Sequence, residues 1–382
     1  MKIISHKKSV APIREAKKLE SRPFDKENLY FTLTCQSGLE SLVRREGERL
    51  GLTETGGQDR LVSGKGSLET LYRLLVGSRF ANRVYIEVAK EKIVDFDTLH
   101  DTLTSISWSE YLTGKEIIVI EASSTRSVLS SMPTIQSVSQ NAIYSTLHTP
   151  DNAHAVEVHI LILIVDDVAR VLLDVTGDPL HKRGYRSESG EAPLKESLAA
   201  ALVAFSGWKF REPLFDPFCG SGTIAIEAAM MARNIPPGLT RHFRVVSLPF
   251  HDRALLSGVK KDLEGKIYPS GKYEIFASDM DSEMVEISKR NAERAGVGED
   301  IVFSKQDYLS TPTEGKTLVT NPPYGKRLES DDLDEIYKKL IKEVKESGGG
   351  FITTYPIDVR FGLANKKLLN GSEECRFWYK KD

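Results

Sequence analysis

The chain contains the segment Asp216-Pro217-Phe218-Cys219-Gly220-Ser221-Gly222-Thr223, which is the strongest indication of its fold. It follows the apolar residues 213–215 and precedes a run, 224–230, whose apolar spacing predicts a helix. A strand that enters a glycine loop and then a helix is typical of a doubly wound α/β sheet. Because glycine has no Cβ, the backbone at Gly220 and Gly222 can approach a ligand closely, beside the free N–H groups of the helix. We therefore predict a cofactor loop here.

The glycine spacing also bears on which cofactor binds. The loop lacks the Gly-x-Gly-x-x-Gly pattern of dinucleotide enzymes and the Gly-Lys-Ser/Thr end of a phosphate-binding loop, which disfavours NAD and ATP. A ligand that carries a carboxylate suits the positive end of a helix. S-adenosylmethionine, which has an amino-acid end and a nucleoside end, fits best.

Two later strands add acidic residues in the order that such a cofactor needs. The run Tyr273–Ser278 predicts a second strand that ends at Asp279, where doubly wound sheets place a carboxylate on a ribose diol. A third strand, Ile301–Phe303, precedes Asp307, whose carboxylate could accept a hydrogen bond from an adenine amine. The predicted cofactor-binding residues of this region are Asp216, Phe218, Gly220, Gly222, Thr223, Asp279, Met280, Asp307 and Tyr308.

A fourth predicted strand, Thr317–Thr320, ends at Asn321-Pro322-Pro323-Tyr324. Two consecutive prolines exclude a central strand or a helix interior, so this segment is a rigid loop. An aromatic amine is a poor nucleophile unless acceptors hold both its hydrogens, and the Asn321 side-chain oxygen and the Pro322 carbonyl offer two. The ring of Tyr324 could stack on a flipped base, which contributes roughly 1–3 kcal/mol. We predict Asn321, Pro322, Pro323 and Tyr324 as the catalytic residues, acting on an exocyclic amine of a nucleobase.

These motifs resemble class I S-adenosylmethionine-dependent methyltransferases, and more narrowly the bacterial THUMP-domain RNA methyltransferases that make N2-methylguanosine. Leu180–Arg186 and Ala192–Ala199 carry the narrower resemblance. The resemblance implies a Rossmann-like catalytic domain with a mostly parallel seven-stranded sheet, behind ferredoxin-like and THUMP α+β domains. It also implies that Lys195 and Glu196 lie near the methionine end of the cofactor.

The alternation of predicted strands and helices, read with the resemblance, divides the chain into four parts. Residues 1–27 form a basic flexible tail, 28–94 a ferredoxin-like unit, 95–186 the THUMP RNA-binding unit, and 187–382 the catalytic domain. Within the last part, residues 241–266 make a longer connection than a minimal doubly wound fold needs, and we expect them to help shape the substrate entrance.

Composition limits the possible partners. The 382 residues carry a net charge of −2, so RNA binding must depend on local patches, for which Lys182, Arg183 and Arg186 are the candidates. Three scattered cysteines predict a reducing, cytoplasmic location without disulfides or a metal site, with Cys219 as a small buried residue. The apolar run 159–165 is too short to span a membrane.

The sequence thus predicts an enzyme that uses S-adenosylmethionine to make N2-methylguanosine in RNA, with 23S ribosomal RNA as the expected substrate. Transfer RNA is an alternative substrate. The Asn-Pro-Pro-Tyr loop serves an adenine N6 amine equally well, which leaves N6-adenine methylation of RNA or DNA open. A catalytically silent RNA-binding factor of ribosome assembly is the alternative outside enzymes.

Overall fold

The computed structural model describes residues 22–147, 156–186, 194–271, 273–323 and 330–381, without the side chains of 330–332. Most of the predicted basic tail lies outside these residues, as does Tyr324. Two seven-stranded sheets organise the described chain, one built from residues before 175 and the other from residues after 213.

The N-terminal sheet contains both predicted α+β units. Its strands are β1 (Leu29–Thr34), β2 (Thr53–Gln58), β3 (Leu61–Gly66), β4 (Arg83–Lys92), β5 (Ile117–Thr125), β6 (Glu157–Val165) and β7 (Val168–Asp174). They lie in the order β2-β3-β1-β4-β7-β6-β5, and β5 with β6 is the parallel pair. The helices of this region are α1 (Glu40–Arg49), α2 (Leu68–Gly77), α3 (Phe96–Thr104) and α4 (Met132–Thr146). Because β4 pairs with both β1 and β7, the predicted boundary at residue 94 divides one continuous sheet.

Strand β6 illustrates how apolar sequence builds this sheet. Alternate residues Val158, Ile160, Ile162 and Ile164 are buried, while the residues between them are partly exposed. Side chains alternate between the two faces of a strand, so this pattern places one face of β6 on the core. The predicted strand at the apolar run 159–165 is confirmed, with its second face less covered than the sequence suggested.

The C-terminal sheet has the doubly wound arrangement predicted from the glycine loop. Its strands are β8 (Leu214–Asp216), β9 (Ile275–Asp279), β10 (Ile301–Lys305), β11 (Thr317–Thr320), β12 (Gly349–Thr353), β13 (Ala364–Asn370) and β14 (Glu373–Tyr379). The order is β10-β9-β8-β11-β12-β14-β13. The first five strands are parallel to one another, and β14 runs antiparallel to its two neighbours, β12 and β13. The helices are α5 (Glu196–Phe205), α6 (Thr223–Ala232), α7 (Arg253–Glu264), α8 (Ser282–Arg294) and α9 (Ser330–Ser347).

The strand order fixes where a ligand can bind. From β8 the chain moves outward to β9 and β10, and then returns to the other side of β8 as β11. In open α/β sheets the crevice forms beyond the carboxyl ends of the strands at such a switch point. The loops after β8 and β11 therefore share one crevice. Strand β13, which the sequence analysis did not predict, lies at the far edge of the sheet and buries only Leu368 completely.

The connection between α6 and β9 packs on the N-terminal domain. Arg73 of α2 pairs with Asp262 of α7 at 2.8 Å, and the Tyr72 hydroxyl lies 3.0 Å from Nδ1 of His251. A Cβ on Gly238 would lie 2.5 Å from the Leu75 carbonyl oxygen, so the two backbones touch there. These contacts bind the two domains together and give no support to our expectation that residues 241–266 shape the substrate entrance.

Candidate active site

The glycine loop after β8 is held in place by β9. The amide of Cys219 donates to the Ser278 carbonyl at 2.9 Å, and the amide of Gly220 donates to Oδ2 of Asp279 at 2.9 Å. Gly222 has φ +82° and begins α6, and a Cβ there would lie 2.9 Å from Cβ of Ser288 on α8. Glycine is required at Gly222 both for its left-handed backbone and for this close approach.

Asp216 connects the two loops of the crevice. Its buried carboxylate accepts hydrogen bonds through Oδ1 from the Thr320 hydroxyl at 2.6 Å and the Phe218 amide at 3.3 Å. Burial, together with the nearby charge of Asp279, raises the pKa of Asp216 to about 7. No ion pair with a basic side chain is seen for Asp216 among the described residues, so a cationic ligand group would stabilise its ionised form. The ammonium of an amino-acid ligand fits this requirement.

Acidic and apolar groups continue along the same edge. Asp279, at the end of β9, is partly buried and accepts from the amides of Gly220 and Asp281, at 2.9 and 3.0 Å. Each carboxylate oxygen can accept a second hydrogen bond, which leaves capacity for a ribose hydroxyl. The next side chain, Met280, is 69% exposed. Asp307, after β10, is exposed and caps a short turn by accepting from the Leu309 amide at 3.1 Å.

Of the two aromatic residues predicted to contact the cofactor, Phe218 is only partly buried, whereas Tyr308 is buried. Their rings meet edge to face with centroids 5.0 Å apart. Tyr308 is only 3% exposed, and its hydroxyl donates to Oε2 of Glu343 on α9 at 2.6 Å. The buried ring of Tyr308 therefore packs against Phe218. Its burial gives no support to our prediction that the Tyr308 side chain contacts the cofactor. Thr223 is likewise buried, as the first residue of α6.

The loop after β11 contains a polar atom that lacks a protein partner. Oδ1 of Asn321 is buried, and none of the described residues donates a hydrogen bond to it. Pro322 is buried, and the carbonyl of Pro323 accepts a hydrogen bond from the Tyr337 hydroxyl at 3.1 Å. A buried acceptor without a donor is costly, at about 1–3 kcal/mol, unless a ligand supplies the donor. Oδ1 of Asn321 is thus available to accept a hydrogen bond from a ligand, and its role in catalysis stays a prediction.

The predicted residues at the start of the catalytic domain divide into two groups. Lys195 precedes α5 and is partly buried. Glu196 is buried, with Oε2 2.9 Å from Nη2 of Arg186, and burial raises its pKa. A strict hydrogen-bond angle is not met at that oxygen, so the contact is an ion pair of imperfect direction. Glu196 is committed to Arg186, which limits it to an indirect role in holding cofactor.

The predicted RNA-binding patch is mostly wrong. Arg183 is 4% exposed; its guanidinium lies 3.4 Å from Oε1 of Glu227 and donates to the carbonyls of Leu180 and Arg79. Arg186 is also largely covered and donates to the Leu194 carbonyl in addition to its pairing with Glu196. Only Lys182 is exposed, beside Asp178 at 3.3 Å. A cation needs an accessible charge to contact phosphate, so we assign Arg183 to the junction between the domains and Arg186 to the contact with the start of α5.

Cys219 is buried, as the sequence predicted, and burial raises its pKa well above the usual range for a thiol. A thiol that stays protonated is a poor nucleophile. Within the described ranges, no helix is both long and apolar enough to cross a bilayer. The same ranges contain no cluster of three or more His, Cys, Asp or Glu side chains placed to hold a metal ion.

A separate cleft of about 760 Å³ lies at the opposite edge of the C-terminal sheet. It is lined by Arg233 at the end of α6, Lys289 and Glu293 on α8, and Ile301 and Phe303 on β10. Its side chains come from the amino ends of the parallel strands, away from Asp216 and Asn321. Ligands of doubly wound sheets bind at the carboxyl ends, so this cleft is not the site.

Two residues of the site were missed by sequence reasoning. Thr320 donates to Asp216 and so ties the β11 loop to the β8 loop, and Tyr337 holds the Pro323 carbonyl from α9. Thr320 ends an apolar strand, and Tyr337 falls on the buried face of an amphipathic helix. Neither pattern differs from ordinary core packing, so no sequence signal marked them.

Family models match two parts of the chain. Residues 183–355 match a model described as "RMKL-like, methyltransferase domain", and residues 30–85 match one described as "RlmL ferredoxin-like domain". The ferredoxin-like assignment of the first unit is therefore confirmed. The THUMP assignment of residues 95–186 stays a prediction.

Whole proteins are similar as well. "Putative RNA methyltransferase YpsC" of Bacillus subtilis is 35% identical over 317 residues, which cover 80% of this chain and 82% of that protein. "Ribosomal RNA large subunit methyltransferase K/L" of Psychromonas ingrahamii is 33% identical over 369 residues, which cover 91% of this chain and 49% of that protein. The chain thus spans about half the length of the K/L relative.

A solved structure supports the fold and the cofactor. The structure of SMU.472, described as "a putative methyltransferase complexed with SAH", matches with a TM-score of 0.84 and 31% identity, covering 93% of this chain and 98% of that one. SAH, S-adenosylhomocysteine, is what remains of S-adenosylmethionine after its methyl group has left. The doubly wound methyltransferase fold is confirmed, and the cofactor is S-adenosylmethionine.

Proposed function

The chain belongs to the RlmK/L-like family of methyltransferases, and on that premise we propose that it transfers a methyl group from S-adenosylmethionine to the N2 amine of a guanine in RNA. The observation that carries the proposal is the buried Oδ1 of Asn321, which has no donor among the described residues. An amine hydrogen of a substrate base would satisfy it. The Thr320–Asp216 hydrogen bond at 2.6 Å ties the loop that holds Asn321 to the cofactor loop.

The residues of the two loops divide the work. Asp216, Asp279 and the N-terminus of α6 hold the amino-acid and ribose groups of the cofactor, which supplies an electrophilic methyl group when bound. Phe218 and Met280 add apolar surface beside them. This arrangement leaves the end of β11 facing the point where the methyl group must arrive, at the carboxyl edge of the sheet.

Asn321 and the Pro322 carbonyl activate the amine by geometry. When each oxygen accepts one N–H, the amine nitrogen turns pyramidal and its lone pair points away from the aromatic ring. That lone pair forms the new N–C bond as the sulfonium releases the methyl group. The methylated amine then carries one extra proton, which is acidic and is lost to water, so no strong general base is required. Tyr324 would stack on the base.

We infer ribosomal RNA of the large subunit as the substrate because the K/L relative is named for that activity. The RNA class of the other relative, YpsC, is not specified in its name. The N-terminal sheet would recruit structured RNA, with Lys182 as an exposed cation near the junction.

The test is methyl transfer from radiolabelled S-adenosylmethionine to purified RNA and DNA from a strain that lacks the protein. Large-subunit ribosomal RNA, transfer RNA and DNA are assayed separately, and labelled nucleosides are identified by mass analysis. We expect N2-methylguanosine in large-subunit ribosomal RNA. The same nucleoside in transfer RNA would correct the substrate, N6-methyladenosine would contradict the guanine assignment, and cofactor binding without any labelled nucleic acid would indicate a silent RNA-binding factor.

A further inference from the structure

We propose that helix α9 positions two parts of the site separately: Tyr337 holds the base loop, which is the loop after β11, and Lys339 holds the turn that follows Asp307. The inference rests on the proposed function, since it assigns roles within the same site. Neither Tyr337 nor Lys339 is proposed to touch the reacting amine or the methyl group. Both are positioning residues, and they act on different loops.

Tyr337 holds the loop after β11. Its hydroxyl donates to the Pro323 carbonyl at 3.1 Å and lies 2.6 Å from Oγ1 of Thr353, at the end of β12. A phenol has a single hydrogen, so the Thr353 hydroxyl must donate to Tyr337 when Tyr337 donates to Pro323. The Pro323 carbonyl follows directly on the residue whose own carbonyl is proposed to accept the amine. This bond therefore sets the orientation of the two acceptors.

The Tyr337 ring is fixed by packing as well as by its hydroxyl. It is 2% exposed, and it stacks on Tyr355 with centroids 4.2 Å apart and planes 6° apart. It also packs against Phe351 of β12 at 5.9 Å. Because these contacts do not use the hydroxyl, a Tyr337→Phe change removes the bond to the loop while the ring keeps its place.

Lys339 holds the turn after β10. Its ammonium donates to the carbonyls of Tyr308, Leu309 and Thr311, at 2.6, 3.2 and 2.9 Å, which uses all three of its hydrogens. Oε1 of Glu343 lies 3.7 Å from the ammonium, and Oε2 of the same residue accepts from the Tyr308 hydroxyl. The turn begins at Asp307, which is predicted to bind the adenine amine. Lys339 thus fixes the backbone on which that carboxylate is mounted.

The two side chains lie two positions apart on the helix, so they project in different directions and do not face each other. Each can therefore be removed without disturbing the other loop. Methyl transfer needs the amine and the methyl group at near-attack distance, and a displacement of about 1 Å can cost on the order of 100-fold in rate. Loss of the Tyr337 hydroxyl should misplace the amine, whereas loss of the Lys339 ammonium should loosen the cofactor.

The experiment compares Tyr337→Phe and Lys339→Met in the full chain, by calorimetric S-adenosylmethionine binding and by methyl transfer to the RNA that the wild type methylates. We expect Tyr337→Phe to lower kcat about 10- to 100-fold with the Kd for S-adenosylmethionine unchanged within about twofold. We expect Lys339→Met to weaken S-adenosylmethionine binding about 10-fold or more, while kcat at saturating cofactor stays within about threefold of wild type.

Matched controls come from the same surfaces. Tyr355→Phe removes a hydroxyl that bonds Asp334 and no loop, while it keeps the ring stack, and Lys338→Met removes an exposed ammonium next to Lys339. Both should retain wild-type values. Thermal melting checks that each variant folds, and Lys339→Gln, a polar replacement, serves as the second variant for Lys339→Met.

The outcomes are distinct from those of the proposed function. Wild-type kcat in Tyr337→Phe, wild-type cofactor affinity in Lys339→Met, or parallel losses of both quantities in both variants would overturn the inference. The binding arm needs no nucleic acid, so it tests Lys339 even if the RNA assignment fails. A different methylated base would refute the guanine proposal while leaving the predicted split between kcat and Kd intact.

Discussion

Two regions of this molecule bury polar side chains, and they differ in what those side chains bind. At the crevice, Asp216 is buried without a basic partner among the described residues, and Oδ1 of Asn321 lacks a donor there. At the junction between the two domains, Arg183, Glu227 and Tyr185 bind one another. The Tyr185 hydroxyl donates to Oε1 of Glu227 at 3.0 Å, and Arg183 lies 3.4 Å from the same oxygen.

The junction extends this pairing into the N-terminal domain. Glu46, fully buried, accepts from the Ser78 hydroxyl at 2.7 Å and from the Arg79 amide at 3.0 Å. Arg79 in turn donates through Nη2 to the Ile235 carbonyl at 2.7 Å, beyond the end of α6. Single atoms here lack a partner, such as Nη1 of Arg79 and Oε2 of Glu227, but each of these side chains is bonded through another atom.

These two regions show how structural polar groups differ from functional ones. Buried polar groups that bind one another hold the domains together, whereas the unpartnered Oδ1 of Asn321 lies at the carboxyl edge of the sheet, where a bound ligand can supply its donor. Each side chain named at the junction is bonded to another part of the protein through at least one atom, whereas none of the described residues donates to the side-chain oxygen of Asn321 in the crevice.

The largest effect is expected at the junction. Arg183→Met leaves the Glu227 carboxylate buried without its cation, and breaking a buried pair in this way destabilises a protein by about 3–5 kcal/mol. Urea unfolding should show this loss. Adding Glu227→Gln to the same chain should restore much of the stability, because no buried charge then remains unpaired. Normal stability with reduced RNA affinity in Arg183→Met would instead return Arg183 to the RNA-binding surface.

The failed assignment of Arg183 marks the limit of what the sequence could predict. The strands from β8 to β11 and the turn at Gly222 followed from local patterns, since a turn glycine acts through its own backbone, whereas the role of Asn321 stays a prediction. Burial of Arg183 depends on Glu227 of α6 and on the Arg79 carbonyl, both distant in sequence. From the sequence alone, adjacent lysine and arginine residues are interpreted as solvent-exposed charges, because buried partners that are distant in sequence cannot be identified. The continuous N-terminal sheet was missed for the same reason.

A smaller effect, on the order of 2–4 kcal/mol, is expected from the pH dependence of Asp216. Its folded pKa, about 7, lies above the ordinary value of 3.8, so the folded state binds the extra proton between these values. Its contribution to stability is complete below about pH 4 and is lost as the pH rises through 7. Asp216→Asn can keep both acceptor bonds through Oδ1, so thermal melting of the cofactor-free variant should lose less stability than wild type between pH 4 and 8.

A steeper loss in Asp216→Asn than in the wild type would contradict the raised pKa. Saturating S-adenosylmethionine sharpens the comparison. If its ammonium offsets the Asp216 charge, the cofactor should stabilise the wild type more at pH 8 than at pH 5, and this gain should shrink in the variant.

The smallest effect is expected at Lys182. Its pair with Asp178 is exposed on both sides, and surface pairs of this kind contribute at most about 1 kcal/mol. Lys182→Ala should leave the urea midpoint nearly unchanged. If Lys182 contacts phosphate, RNA binding should weaken several-fold, with the salt dependence reduced by about one counterion. An unchanged salt dependence would remove the last member of the predicted patch.

In the proposed mechanism the unpartnered Oδ1 of Asn321 activates the substrate amine, and the Asn321→Ala variant tests this role. Initial rates of methyl transfer to the wild-type RNA substrate are measured beside the Kd for S-adenosylmethionine, with Asn321→Asp, which keeps an acceptor oxygen, as the matched variant. We predict that kcat falls about 100- to 1,000-fold in Asn321→Ala while the affinity for S-adenosylmethionine is unchanged, and that the loss of kcat is smaller in Asn321→Asp. Full turnover in Asn321→Ala, or a loss explained entirely by weaker cofactor binding, would contradict it.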